Sequence, residues 1–131
     1  MFMREHTVFL SDTDTTGQVY YSKPLEWLEW CRVEWFQKQF GNFLQFVEKS
    51  GITFFPSRAN VDYKRPIFFG DTLKIEMTAK EIKKVSFLLD YTVKRGEEIV
   101  LKSEITIVCF DTKKKTLGRM GEDMIKLLES M

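Results

Sequence analysis

The sequence predicts an α+β domain in which one long, strongly apolar helix packs on an antiparallel sheet of about five strands. Two observations predict it. A helical stretch rich in tryptophan and phenylalanine stands near the N-terminus, and segments with apolar residues at every second position follow it. The joints between those segments are short and polar, which favours antiparallel pairing of neighbouring strands.

The first element is a short strand over His6 to Leu10, where Val8 and Leu10 alternate with their neighbours. The polar run over residues 11–17 then ends regular structure, because Asp, Thr and Gly side chains favour turns.

The long helix is expected from about Ser22 to Phe40. Ser22 can cap it, Pro24 is tolerated in its first turn, and Gly41 is a stop signal. Its apolar residues cover more than one face, which predicts burial on more than one side. They are Trp27, Leu28, Cys31, Val33, Trp35, Phe36 and Phe40. A second helix is expected over about Phe43 to Lys49.

The remaining strands follow by period-two alternation, with a basic joint at Ile82–Lys84 and a hairpin turn at Arg95–Glu97. Their apolar positions are Ala59, Val61 and Tyr63, then Leu73, Ile75, Met77 and Ala79, then Phe87, Leu89, Tyr91 and Val93, and last Ile99, Leu101, Ile105, Ile107 and Cys109. A short amphipathic helix over Gly121 to Glu129 ends the chain.

Length and composition narrow the function classes. The chain has 131 residues, which suits one domain over residues 1–131. Its net charge of +1 offers no basic excess, so we expect no nucleic-acid partner and no anionic membrane surface. No apolar run reaches bilayer length, and the polar N-terminus contains no signal-peptide core, which predicts a cytoplasmic protein. Cys31 and Cys109 are expected to be reduced and buried, and neither a metal site nor a cofactor is expected.

Chemistry is best placed in the run from Asp12 to Tyr21, between the first strand and the long helix. A loop carboxylate can act as a general base or as a nucleophile. The free N–H groups of a helix N-terminus can hold a developing oxyanion. The same residue types are also common turn formers and caps, and Asp12 is expected to have that role.

Two other motifs share part of this pattern. A calcium loop of the EF-hand type needs a Glu eleven residues after Asp12, where this chain has Lys23. The nucleophile loop of haloacid-dehalogenase-type phosphatases belongs to a parallel sheet with alternating helices, whereas strands follow strands here after residue 58. Both motifs are therefore rejected.

A third similarity covers nearly the whole chain. Phe9–Tyr21 (FLSDTDTTGQVYY), followed by Leu25–Trp27 and Arg32, resembles the opening of the 4-hydroxybenzoyl-CoA thioesterase branch of the hotdog superfamily. Tyr63–Asp71 (YKRPIFFGD) resembles the second signature of that family, and Lys80–Phe87 (KEIKKVSF) its third. The resemblance implies a hotdog fold, with a long central helix wrapped by a curved sheet, and hydrolysis of acyl-CoA thioesters.

The resemblance also implies roles for particular residues. The catalytic carboxylate of the family falls on Asp14, the backbone N–H that polarises the thioester carbonyl on Tyr21, and the glycine that turns the loop on Gly17. The family's basic residues that meet the CoA phosphates fall on Lys83 and Lys84. Ser86, in the third signature, is assigned to substrate binding with them.

Some points depart from the family or stay open. Positions where some relatives carry a catalytic histidine hold Gln18 and Ser22, so Asp14 would act without an imidazole, and hydration is disfavoured. The sequence does not choose between nucleophile and general base, or among acyl groups. A non-catalytic acyl-thioester-binding module and a thioesterase acting on carrier-protein-bound acyl groups are alternatives. The family implies dimers or tetramers with sites at the subunit interface, and an uncovered sheet edge in a monomer favours association.

Overall fold

The computed structural model describes residues 1–131 and contains six strands and three helices. The strands are β1 (Phe2–Thr7), β2 (Ile52–Tyr63), β3 (Thr72–Lys80), β4 (Ser86–Arg95), β5 (Glu98–Asp111) and β6 (Thr116–Leu117). The helices are α1 (Lys23–Phe40), α2 (Phe43–Ser50) and α3 (Glu122–Glu129). A single 3₁₀ turn over Leu10–Asp12 follows β1.

One antiparallel sheet holds all the strands, in the order β1-β3-β4-β5-β2, with β6 paired to β5. Strand β2 is therefore an edge strand. Its pairing with β5 is interrupted by a register shift between Pro56 and Arg58. Alternate residues of β3 and β4 are buried, as their period-two pattern predicts.

Helix α1 lies on the buried face of the sheet. Its buried residues are Pro24, Trp27, Leu28, Cys31, Trp35 and Phe36. The buried Tyr91 hydroxyl on β4 donates a 3.1 Å hydrogen bond to the Leu28 carbonyl, which ties the helix to the middle of the sheet. The predicted arrangement of one long helix on a five-stranded sheet is confirmed, and the short β6 is an addition to it.

The first strand differs from its prediction. It covers Phe2–Thr7 rather than His6–Leu10, because β1 pairs with β3 only as far as Thr7. Phe9 and Leu10 leave the sheet and stand 59% and 68% exposed. Their apolar character reflects this surface position rather than a core-facing strand.

The predicted capping role of Ser22 is wrong. Its backbone is already helical (φ −84°, ψ −16°) and its hydroxyl makes no capping hydrogen bond. Strand β2 is also longer than its alternating segment indicated, because it begins at Ile52, directly after α2. The remaining helix and turn predictions agree with the structure to within about a residue.

Both cysteines are free and buried, as predicted. Burial raises the pKa of the Cys31 thiol to about 12 and that of Cys109 to about 11, so neither is a reactive thiolate. None of the three helices combines the length and hydropathy that crossing a bilayer requires.

Candidate active site

The loop between β1 and α1 folds back on itself like a small hairpin. Thr13 pairs with Val19, and the Asp14 N–H donates a 2.9 Å hydrogen bond to the Gln18 carbonyl. Two residues before Asp14, the Asp12 carbonyl accepts the N–H of Tyr20 at 2.9 Å. These bonds place Asp14 and Tyr21 on the two arms of one short ladder.

The second signature segment, Tyr63–Asp71, is joined to this loop by two backbone hydrogen bonds. The Val19 N–H donates to the Ile67 carbonyl at 2.7 Å, and the Phe69 N–H donates to the Gly17 carbonyl at 2.9 Å. Gly17 has a φ of +83°, which L side chains rarely adopt, and this explains a glycine at the turn. The two sequence signatures therefore meet in space and form one structural unit.

Asp14 is exposed and has one carboxylate oxygen without a partner. Its Oδ1 accepts the Thr16 hydroxyl at 2.6 Å and the Thr16 N–H at 2.8 Å, whereas Oδ2 accepts no hydrogen bond within the chain. The Thr16 hydroxyl first, and the Thr16 backbone amide second, hold the pKa of Asp14 below its ordinary value of 3.8. Asp14 is therefore ionised at neutral pH, with Oδ2 available to a substrate or a water molecule.

The N–H of Tyr21 donates to no group of the chain. It stands two residues before the first residue of α1, where the helix dipole is positive. The Tyr21 carbonyl, in contrast, accepts the Tyr63 hydroxyl from the end of β2. The hydrogen bond from Tyr63 fixes the backbone at Tyr21. The free N–H of the same residue is therefore suited to polarise a carbonyl oxygen.

Asp14 and Tyr21 lie in the same loop, on arms that the hydrogen bonds above join. Three ladder positions separate Gln18, the partner of Asp14, from Tyr21, a length of about 10 Å. Asp14 itself does not line the cleft that opens beside the Tyr21 amide.

A cleft of about 320 Å³ opens beside the free amide, between the loop, the start of α1 and the end of β2. It is lined by Gln18, Val19, Tyr21, Pro24, Tyr63, Lys64, Arg65, Pro66 and Ile67. Lys64 and Arg65 bring positive charge to this cleft. Both residues belong to the second signature, but no role was predicted for them.

Asp71 and Arg95 fix the segment that supports the loop. Asp71 Oδ2 accepts the Phe68 N–H at 2.9 Å and pairs with Arg95 at 2.7 Å, and Arg95 also donates to the Pro66 carbonyl at 3.0 Å. Asp71 is a turn residue, and its N–H donates to the Phe68 carbonyl at 3.1 Å. The partnership with Arg95 could not be predicted, because 24 residues separate the two.

The predicted phosphate-binding residues lie elsewhere. Lys83 and Lys84 are exposed in the joint between β3 and β4, and the half-buried Ser86 begins β4. The loop instead joins the sheet at the start of β3, where Val8 and Asp71 bond. The nine residues of β3 separate the two groups by roughly 30 Å, so one chain does not bring them together.

Comparison with known proteins places the chain in a family. Residues 8–128 match the model of the thioesterase-like superfamily. The chain belongs to that superfamily. It is 28% identical over 129 residues to a 1,4-dihydroxy-2-naphthoyl-CoA hydrolase of Nostoc punctiforme, covering 98% of this chain and 87% of the relative. It is 27% identical to the acyl-CoA thioesterase YbgC of Haemophilus influenzae, covering 86% and 79%.

Solved structures agree on the fold. Slr0204, a 1,4-dihydroxy-2-naphthoyl-CoA thioesterase from Synechocystis, superposes with a TM-score of 0.89 at 19% identity, covering 99% of this chain and 96% of the other. YbaW, a probable thioesterase from Escherichia coli, gives 0.82 at 23% identity, covering 100% and 98%. The hotdog fold and the class of enzyme, a thioester hydrolase, are confirmed as predicted. Membership in the 4-hydroxybenzoyl-CoA branch stays a prediction.

Proposed function

We propose that the protein hydrolyses acyl-CoA thioesters in the cleft beside Tyr21, with Asp14 as the catalytic carboxylate. The observation that carries the proposal is the combination of a free Tyr21 N–H with an ionised Asp14 whose Oδ2 has no partner. The relatives named as CoA-thioester hydrolases support the same reaction.

The chemistry divides between these two groups. The Tyr21 N–H, helped by the positive end of α1, binds the carbonyl oxygen as negative charge develops on it, and a single donor of this kind typically contributes about 10²–10³ in rate. Asp14 Oδ2 either takes a proton from the attacking water or attacks the carbonyl carbon itself. On the base route, water adds to the carbonyl carbon, the carbon–sulfur bond breaks, and the CoA thiolate takes up the proton that Asp14 received. On the nucleophilic route, an anhydride between the acyl group and Asp14 forms as the carbon–sulfur bond breaks. Water then hydrolyses this anhydride to the carboxylic acid and Asp14, and its proton passes to the thiolate.

A second copy of the chain would complete the site. Strand β2 is a twelve-residue edge strand, and its C-terminal residue Tyr63 lies at the cleft. If two β2 edges pair antiparallel about a two-fold axis, the opposite end of the partner's sheet reaches the cleft. The partner copy's equivalents of Lys83, Lys84 and Ser86 then face the cleft, although the same residues of one chain lie roughly 30 Å from its own loop.

We infer an aromatic acyl group as the substrate class. The cleft presents the rings of Tyr21 and Tyr63 together with Pro24 and Pro66, flat surfaces that suit a ring. The relatives named for 1,4-dihydroxy-2-naphthoyl-CoA, a fused-ring thioester, support the same class.

A thioester panel tests the proposal. Release of free thiol is followed with aromatic and fatty acyl-CoA thioesters, and with the same acyl groups on a carrier protein. We expect turnover of CoA thioesters, fastest with aromatic acyl groups. Binding without thiol release throughout the panel would identify a non-catalytic module, and release only from the carrier protein would identify the other alternative.

A further inference from the structure

The sole histidine of the chain and the first aspartate of the loop form a buried pair. His6 Nε2 lies 3.2 Å from Asp12 Oδ2, and the two residues are 5% and 3% exposed. Asp12 Oδ2 also accepts the Phe9 N–H at 3.0 Å. Asp12 thus caps the chain leaving β1, as predicted, but its burial and its histidine partner were not predicted.

The surroundings of His6 are almost entirely apolar. Its ring packs 4.5 Å from the Trp27 ring and 5.8 Å from those of Trp30 and Phe9. On the sheet side it faces Leu73 of β3. The charged groups that act on it are Asp12 and Arg4, and Arg4 is paired with Glu34 of α1 at 2.8 Å.

A buried carboxylate is costly unless donors satisfy it, and here two donors supply the hydrogen bonds. The backbone of the same residue acts on the other arm of the loop, because the Asp12 carbonyl accepts the N–H of Tyr20. Tyr20 directly precedes Tyr21. A shift of Asp12 would therefore move the free Tyr21 amide.

We propose that His6 and Asp12 are positioning residues that hold the Tyr21 N–H where it can donate to the thioester carbonyl oxygen. This inference rests on the proposed function. Neither side chain touches the cleft, and the effect is transmitted through the Asp12 carbonyl and Tyr20. Small displacements of a catalytic group reduce rates steeply, by up to about 10²-fold for 1 Å.

The pair also gives the site a distinctive pH dependence. Burial lowers the pKa of His6 from its ordinary 6.5, although Asp12 opposes the shift, so the imidazole is neutral at neutral pH and donates from Nε2. Its contribution to stability is present above pH 6.5 and is lost as the pH falls through the lowered pKa.

Two substitutions of His6 test the pair in the full-length protein. His6→Gln keeps an N–H donor near the position of Nε2, so we expect kcat within about threefold of wild type at pH 7.5. His6→Phe fills the space without a donor and leaves Asp12 short of a partner, so kcat should fall at least about tenfold with KM little changed. Val8→Ala, a buried neighbour outside the pair, should lower the melting temperature and leave kcat unchanged at temperatures where the variant is folded.

Full kcat in His6→Phe, or an equal loss of kcat in His6→Gln and His6→Phe, would overturn the positioning role. Amide hydrogen exchange separates this result from a failure of the proposed function. Whether or not the wild type hydrolyses a thioester, the amides of Phe9 and Tyr20 should exchange slowly in wild type and His6→Gln and at least about tenfold faster in His6→Phe. Equal exchange rates of these two amides in all three proteins would show that the His6–Asp12 pair does not stabilise the loop.

Discussion

Two turns at opposite ends of the sheet contain an aspartate in nearly the same local setting. Asp14 Oδ1 accepts the N–H and hydroxyl of Thr16, and Asp111 Oδ1 accepts the N–H groups of Lys113 and Lys114 at 2.9 Å. In both cases these hydrogen bonds hold the pKa of the carboxyl below its ordinary value.

The difference lies in what surrounds each carboxylate. Asp14 shares its loop with a free amide at the start of α1 and with a cleft. Asp111 ends β5 beside three consecutive lysines, and no helix N-terminus follows it for ten residues. A capped turn carboxylate is thus a common structural device, and an unsatisfied donor placed near it is what makes chemistry possible.

The largest expected effect tests this comparison directly. Asp14→Asn should reduce kcat toward the best CoA thioester by at least about 10²-fold, because the amide is neither base nor nucleophile. Asp111→Asn removes a charge from the matching turn and should leave kcat within about twofold. Steady-state kinetics of thiol release measure both variants.

Stability is the control for this pair of variants. Both aspartates are at or near the surface, so chemical denaturation should show little change in the free energy of unfolding of either variant. Equal loss of activity in the two variants, or none in either, would remove Asp14 from the mechanism.

A second prediction concerns the turn itself. Gly17→Ala places a Cβ where φ is +83° and no atom lies within 4 Å, so its cost is backbone strain of about 1–2 kcal/mol. If the loop relieves that strain by moving, kcat should fall about tenfold. Gly96→Ala, with φ of +63° and equally open space in the β4–β5 turn, should show a similar stability loss with unchanged kcat.

The third prediction tests whether the far end of the sheet serves the cleft. Lys83→Gln combined with Lys84→Gln should raise KM for CoA thioesters about fivefold with kcat unchanged, and the difference should shrink as salt screens the phosphates. Lys74→Gln combined with Lys102→Gln changes the same charge at exposed sheet positions and should leave KM unaltered.

Light scattering of the same samples tests the arrangement that would bring those lysines to the cleft. A monomer at assay concentration would contradict a contribution from a second copy. So would a KM that changes when Lys64 and Arg65 are replaced but not when Lys83 and Lys84 are replaced.

The smallest expected effect is that of Tyr63→Phe. It removes the hydroxyl that donates to the Tyr21 carbonyl and keeps the ring in the cleft. A single exposed hydrogen bond contributes about 0.5 kcal/mol, so we expect a two- to threefold loss of kcat and a similarly small change in stability. A loss as large as that of Asp14→Asn would show that the tyrosine hydroxyl takes part in catalysis.

Much of the fold was predictable because the signals were local. Period-two alternation located β3 and β4, and the apolar stripe with Gly41 located α1. The first strand was misplaced because Val8 is buried outside the sheet, where it mimics a continuing alternation. Pairing between distant segments also decides where β2 begins and why β6 exists, and a single sequence contains no direct record of pairing.

The candidate site was predictable in part for the same reason. Asp14, Gly17 and Tyr21 belong to one contiguous motif, and the structure groups them. The His6–Asp12 pair and the Tyr63 bond to Tyr21 depend on packing across elements, which the sequence pattern did not reveal. Lys83, Lys84 and Ser86 were assigned by resemblance alone, and their role stays a prediction.

The dependence of the loop on Ile67 and Phe69 has a consequence for biosynthesis. The chain emerges from the ribosome N-terminus first, so the residues that shape the loop appear about fifty residues after it. Hydrogen bonds between such distant segments cannot form until both segments have been synthesised. The loop between β1 and α1, which is translated among the earliest, therefore acquires its working geometry only after Ile67 and Phe69 have been made.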